Sequence, residues 1–165
     1  MPVVRKVEKL IFTFPDGWEA EKFDDWAYYR KHFSRQMNGL KAIDLLAIGP
    51  DGVAYLIEVK DYRHPNTIKP IELADAIASK VLMSMAALLP AKFRANTPAE
   101  RALATSVLEC NDFKVIAHLE LPQAHKPVVD PADIKQKLRQ RLAAVDPHVK
   151  VVSMANMRGL AWSVQ

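Results

Sequence analysis

The sequence predicts an α/β sandwich: a mixed central β-sheet flanked by helices. Three observations carry this expectation. Helical and strand periodicities alternate along the chain, two apolar runs flank Gly49-Pro50-Asp51-Gly52 as in a hairpin, and two proline-led capping sequences open amphipathic helices. With 165 residues, half of them hydrophobic, and no repeat or low-complexity linker, the chain reads as a single domain spanning 1–165.

Residues 7–14 alternate enough for a strand, and Pro15-Asp16-Gly17 breaks it. A helix is expected from there to about Ser34, with Phe23, Trp26, Ala27, Arg30 and Phe33 on one stripe. Residues 41–48 and 53–60 are the two hairpin strands. Pro70 opens a long helix whose Ile71, Ala74, Ala78, Val81, Met85 and Leu88 share a face. Thr97-Pro98-Ala99-Glu100 is a capping box, so another helix runs to about Cys110. Residues 113–119 form a strand. Asp130-Pro131-Ala132-Asp133 starts a further helix, ended by Asp146-Pro147, and residues 149–154 and 160–164 read as late strands. The expected order is β-α-β-β-α-α-β-α-β-β.

Several functional classes fall away. The lone Cys110 permits neither an intramolecular disulfide nor a cysteine-built metal site, which fits a reducing compartment. The start of the chain, Met1 to Lys6, carries no secretory pattern, and the apolar stretch 76–89 is short and broken by Lys80. A cytoplasmic protein without a membrane partner is expected. His32, His64, His118, His125 and His148 lack zinc-ligand spacing, and there is no Gly-x-Ser-x-Gly elbow or glycine-rich phosphate loop. The net charge of +4 is compatible with a polyanionic partner.

The hairpin carries the functional argument. Pro50-Asp51-Gly52 suits a three-residue loop with glycine in the left-handed region, closed by Gly49 and Val53. Counting back, Ile48 faces Ala54, Leu46 faces Leu56 and Asp44 faces Glu58, with facing Cβ atoms about 4.5–5.5 Å apart. Lys60 shares that side. Both strands are apolar on both faces, so they belong inside a covered sheet. Two carboxylates facing each other there repel, and each loses several kcal/mol of hydration. Lys60 offsets one charge, and a divalent cation with hard oxygen ligands, Mg2+ or Mn2+, is expected to offset the other.

Ala42-Ile43-Asp44-Leu45-Leu46-Ala47-Ile48, a tight turn, then Leu56-Ile57-Glu58-Val59-Lys60-Asp61-Tyr62 resembles the PD-(D/E)xK nuclease superfamily, closest to its Holliday-junction-resolvase-like and nuclease-related branches. The match covers about residues 41–62, and Ile43 stands where many members carry proline. The resemblance implies a restriction-endonuclease-like core and a Mg2+- or Mn2+-dependent deoxyribonuclease, endonucleolytic on DNA. It also implies that Asp44 and Glu58 bind the metal with the Val59 carbonyl, and that Lys60 orients or activates the attacking water. Many members add an acidic residue on the first helix; Glu19 shares the inward stripe, with Glu21 as the fallback. The alternative is a catalytically inactive member that binds nucleic acid or a protein partner, and a homodimer fits the small size.

Arg63 and His64, just after the motif, are candidate phosphate contacts, and Lys80 on the following helix is a candidate DNA contact or a solvated charge. Lys135, Lys137, Arg139 and Arg141 form either a phosphate-contacting patch or a solvated helix face.

Overall fold

The computed structural model describes residues 1–64, 72–123 and 129–165. Pro70, Ile71 and His125, which figure in the sequence expectations, lie outside the described residues.

The fold is α/β, with a mixed sheet flanked by helices as the sequence predicts, and it carries a second, smaller sheet. Strands β3 (Glu19–Lys22), β4 (Leu45–Ile48), β5 (Val53–Asp61), β6 (Asp112–Glu120) and β7 (Lys150–Val152) form a five-stranded sheet in that order. The β3–β4–β5 pairs are antiparallel, and β5–β6–β7 are parallel. Strands β1 (Val3–Val7), β2 (Leu10–Phe14) and β8 (Ser163–Val164) make an antiparallel three-stranded sheet.

The parallel strands need crossovers, and helices supply them. Helices α2 (Leu73–Arg94) and α3 (Pro98–Leu108) join β5 to β6, and α4 (Pro131–Arg141) joins β6 to β7. One face of the large sheet packs Leu56, Val115 and Ala117 against Ile77, Val81 and Leu88 of α2. The opposite face packs Ile57, Val59 and Ile116 against Phe12, Phe14, Trp18 and Trp162 of the small-sheet layer. Covered on both sides, β5 has the near-continuous apolar run that its sequence shows.

By length and composition alone α2 could cross a membrane, being longer than the stretch the sequence marked out. Here Ile77, Ala78, Val81, Ala87, Leu88 and Ala91 are buried in the domain core.

Two expected elements differ. The single strand at 7–14 is two strands, because Glu8 adopts a left-handed φ of 53° and turns the chain between Val7 and Leu10. The helix expected up to Ser34 is replaced by β3, a 3-10 turn at Phe23–Asp25, the five-residue α1 (Ala27–Lys31) and a second 3-10 turn at Phe33–Arg35. Edge pairing of β3 with β4 overrides the helical spacing of the aromatics. Those aromatics still pack inward: the Phe23 and Trp26 rings meet edge to face at 4.7 Å.

Candidate functional site

The β4–β5 hairpin positions the centre. Gly52, at φ +73°, donates its N–H to Gly49 O at 3.0 Å, and Gly49 N–H donates to Val53 O at 3.0 Å. This is the three-residue loop read from the sequence, and Ile48↔Ala54 and Leu46↔Leu56 fall in register as counted. The ladder stops at Leu45↔Ile57, one residue short of Asp44. The Asp44 carbonyl instead accepts from Phe23 N at 3.0 Å, and its carboxylate Oδ2 accepts from Val59 N at 2.7 Å. Val59 thus reaches the site through its N–H, while its side chain lies in the core on the other sheet face.

Glu58 is fully buried. Its Oε1 lies 2.6 Å from Lys60 Nζ and 2.6 Å from Lys80 Nζ. Lys80 also stands 4.0 Å from Asp44 Oδ1. The structure therefore brings Asp44, Glu58, Lys60 and Lys80 together, two carboxylates against two ammonium groups. Lys80, expected to be a DNA contact or a solvated charge, is an internal partner instead. Ile77, Lys80 and Ser84 sit at i, i+3 and i+7 of α2, and that spacing is the signal that places Lys80 on the sheet-facing side. Ser84 is buried and accepts from Ile43 N at 2.9 Å, anchoring the strand entry beside Asp44.

Burial, and then the charge of Asp44, push the Glu58 carboxyl up to about 7 against the pull of Lys80 and Lys60. Burial would lower the Lys60 ammonium, but Glu58 beside it outweighs this and raises it. A third carboxyl, Asp24 in the first 3-10 turn, is raised by burial and then by Asp44. Sequence reasoning missed Asp24; its signal was the acidic pair Asp24-Asp25 between Phe23 and Trp26, which it placed in a longer helix.

Glu19 does not join this group. It is exposed on β3, opposite Ile48 at the turn end of the hairpin. The fallback Glu21, also on β3, pairs with Arg5 of β1 at 2.6 Å. Arg63 binds Asp61 through two nitrogens, at 2.8 and 2.7 Å, and His64 is exposed beside it.

Metal fit turns on the donor set. Glu58 Oε2 and Asp24 Oδ1 are buried without a hydrogen-bond partner, so oxygen capacity is left over. Among the described residues, however, no group of three or more His, Cys, Asp or Glu side chains is placed to hold a metal ion. Part of the positive charge that the apolar context demands is supplied by Lys60 and Lys80. Lys80 sits against both carboxylates, while two carboxylates with bound waters would also suit a magnesium ion.

A second feature lies at the carboxyl ends of β6 and β7, where open α/β sheets commonly bind ligands. A cleft of about 700 Å³ is lined there by Arg63, Leu119, Glu120, Val151, Met154 and Arg158, among others. Under it, buried His118 bonds Glu120 Oε1 at 2.8 Å, and the same oxygen accepts from Met154 N at 2.7 Å.

No family model and no solved structure matches the chain. Among curated proteins it is similar to a cysteine–tRNA ligase of Neisseria meningitidis serogroup A, with 29% identity over 145 residues, covering 70% of this chain and 21% of the relative. The chain thus spans about a fifth of the length of the relative it matches. This similarity overturns the expectation of a Mg2+- or Mn2+-dependent deoxyribonuclease: the relative is a ligase named for tRNA, not a hydrolase of DNA. The nuclease, endonuclease and DNA-binding readings fall with it. Lys80 adds a second ammonium beside the carboxylate pair, next to the Lys60 that the sequence placed there.

Proposed function

We propose that this chain is a tRNA-binding domain on a restriction-endonuclease-like core, in which Asp44, Glu58, Lys60 and Lys80 form an ion network. The observation that carries the reading is the double cover of Glu58: two lysines hold one carboxylate oxygen at 2.6 Å, so the protein itself offsets part of the charge. The tRNA-ligase similarity supplies the RNA class, and the net charge of +4 favours a polyanion. Because the match spans 21% of the relative, amino-acid activation is not part of the proposal.

The test is fluorescence anisotropy with unfractionated tRNA at about 50 and 200 mM salt. Expected is micromolar or tighter binding that weakens as salt rises, with the tRNA left intact. Absence of binding at the lower salt contradicts the reading.

One observation favours a second reading, a protein-docking domain. Leu82, Leu89 and Phe93 are 49%, 60% and 69% exposed along one face of α2, at i, i+7 and i+11. Light scattering of the isolated chain tests the form in which that partner is a second copy: a monomer at all concentrations rules that form out.

A further inference from the structure

The face of the large sheet away from Glu58 carries a cavity of its own. Side chains alternate along β5, so Tyr55 lies on the opposite face from Leu56 and Glu58. Tyr55 is in register with Lys114 of β6, and Ile116, two residues on, is in register with Lys150 of β7. These four side chains form one continuous floor, and all four line a cavity of about 460 Å³. That volume is within the range of small-ligand pockets. Trp18 and residues 159–161 line it from the small-sheet layer.

The lining has an aromatic part and a cationic part. The half-buried Tyr55 ring is fixed by the rings of Trp18 and Trp162, at 5.2 and 5.3 Å, and Ile116 and Leu160 add apolar surface. Lys114 is held by Asp112 at 2.8 Å. Lys150 spends one of its three ammonium donors on the Arg158 carbonyl at 3.2 Å, which ties the floor to the turn before Gly159. Neither Lys150 nor the exposed His148, which also lines the cavity, is in an ion pair among the described residues. The buried Asp146 does not compete for them, because its two oxygens accept from Val115 N and His148 N.

We propose that this cavity takes one nucleotide, with the base against Tyr55 and the phosphate on Lys150 and His148. An aromatic face suits any base, and uncommitted nitrogen donors beside it suit the phosphate. An unstacked nucleotide of an RNA strand and a free nucleotide present the same chemistry. The inference deepens the tRNA-binding reading by locating a contact, and it rests on that reading for the choice of RNA.

The experiment uses the full chain and three probes: unfractionated tRNA, an oligoadenylate of about 12 nucleotides, within the usual single-strand site size, and adenosine monophosphate. Anisotropy measures affinity for the two RNAs, and NMR amide shifts of the unmodified protein locate each probe. The variants are Tyr55→Leu, Lys150→Gln and, as a control on α4 outside the cavity, Arg139→Gln. Circular dichroism verifies each fold. The pocket predicts that the oligoadenylate shifts the amides of Tyr55, Lys150 and Gly159. It predicts a loss of about fivefold or more in Tyr55→Leu, the stacking of one base. It also predicts a salt slope reduced by about 0.7 in Lys150→Gln, one phosphate contact on a single strand, and no change in Arg139→Gln. The amide shifts need no variant, so they decide the matter if Tyr55→Leu does not fold. If tRNA binds with those amides unmoved, and Tyr55→Leu is no weaker than Arg139→Gln, the pocket is overturned and the tRNA reading stands. If the oligoadenylate or adenosine monophosphate moves the amides and tRNA does not bind, the tRNA reading fails and the pocket stands. Shifts from adenosine monophosphate alone then make a free nucleotide the occupant. Binding of no probe overturns both.

Discussion

Lys80 Nζ of α2 lies 2.6 Å from Glu58 Oε1 of β5, on the same oxygen that Lys60 holds at 2.6 Å. This contact joins the helix layer to the middle of the sheet. It also sets a second ammonium against the carboxylate pair, although burial and Asp44 together still raise the Glu58 carboxyl. Breaking one arm leaves Glu58 short of a partner in an apolar setting.

Lys80→Met should therefore cost about 1.5–3 kcal/mol, the range for a hydrogen bond to a charged group. In a Glu58→Gln background the same change should cost under about 1 kcal/mol, because the charge it serves is gone. A double-mutant cycle from urea midpoints measures the difference. Equal costs in the two backgrounds would show that the pair is not coupled.

The pH dependence of Glu58 runs opposite to that of most carboxylates. Its folded value, about 7, lies above its ordinary 4.5, so the folded state holds the proton more tightly than the unfolded chain does. Its stabilising contribution is full below about 4.5 and is lost as pH rises through 7, a change on the order of 3 kcal/mol. Relative to Glu58→Gln, the unmodified protein should lose stability between pH 5 and pH 8. A gain over that window contradicts the assignment.

Buried His118 should remain a neutral imidazole below its ordinary value of 6.5, because burial lowers it more than Glu120 raises it. The stability this provides is present above 6.5 and is lost as pH falls below it. Imidazole nitrogen shifts measured by NMR across pH 5–8 check the point. An imidazolium signal at pH 7 would contradict it.

Two carboxylates secure loops by accepting backbone N–H groups. Glu100 accepts from Ala27 N at 2.6 Å and Tyr28 N at 3.4 Å, capping α1 from a different helix, while Asp146 accepts from Val115 N and His148 N, each at 2.8 Å. Glu100→Ala should cost about 1–2 kcal/mol, as for a lost helix cap. Asp146→Ala, which orphans a buried amide, should cost about 1–3 kcal/mol. Chemical denaturation checks both. Costs below 0.5 kcal/mol, the usual limit for surface changes, would show the carboxylates are dispensable.

What the sequence disclosed follows from how local each signal is. The hairpin was legible because Pro50 fixes its own φ and Gly52 enters the left-handed region at little cost, and the register then follows by counting. Helices α3 and α4 were legible because Thr97 and Asp130 cap them, accepting from Glu100 N and Ala132 N. The β1–β2 turn was not, since Glu8 and Lys9 are not residues that mark a reversal. Nor was β3, whose Glu-Ala-Glu-Lys run is held by pairing to β4. At the site, Asp44, Glu58 and Lys60 share one hairpin, so counting brings them together. Lys80 comes from a separate helix, and only tertiary packing delivers it.

Thermal unfolding with and without about 5 mM MgCl2, a large excess over the protein, tests most directly whether lysines or a metal balance Glu58. The lysine-compensated network predicts that the unfolding midpoint of the unmodified protein does not move with Mg2+. A midpoint that rises with Mg2+, and no longer rises in Asp44→Asn, would contradict it and return a cation to the centre.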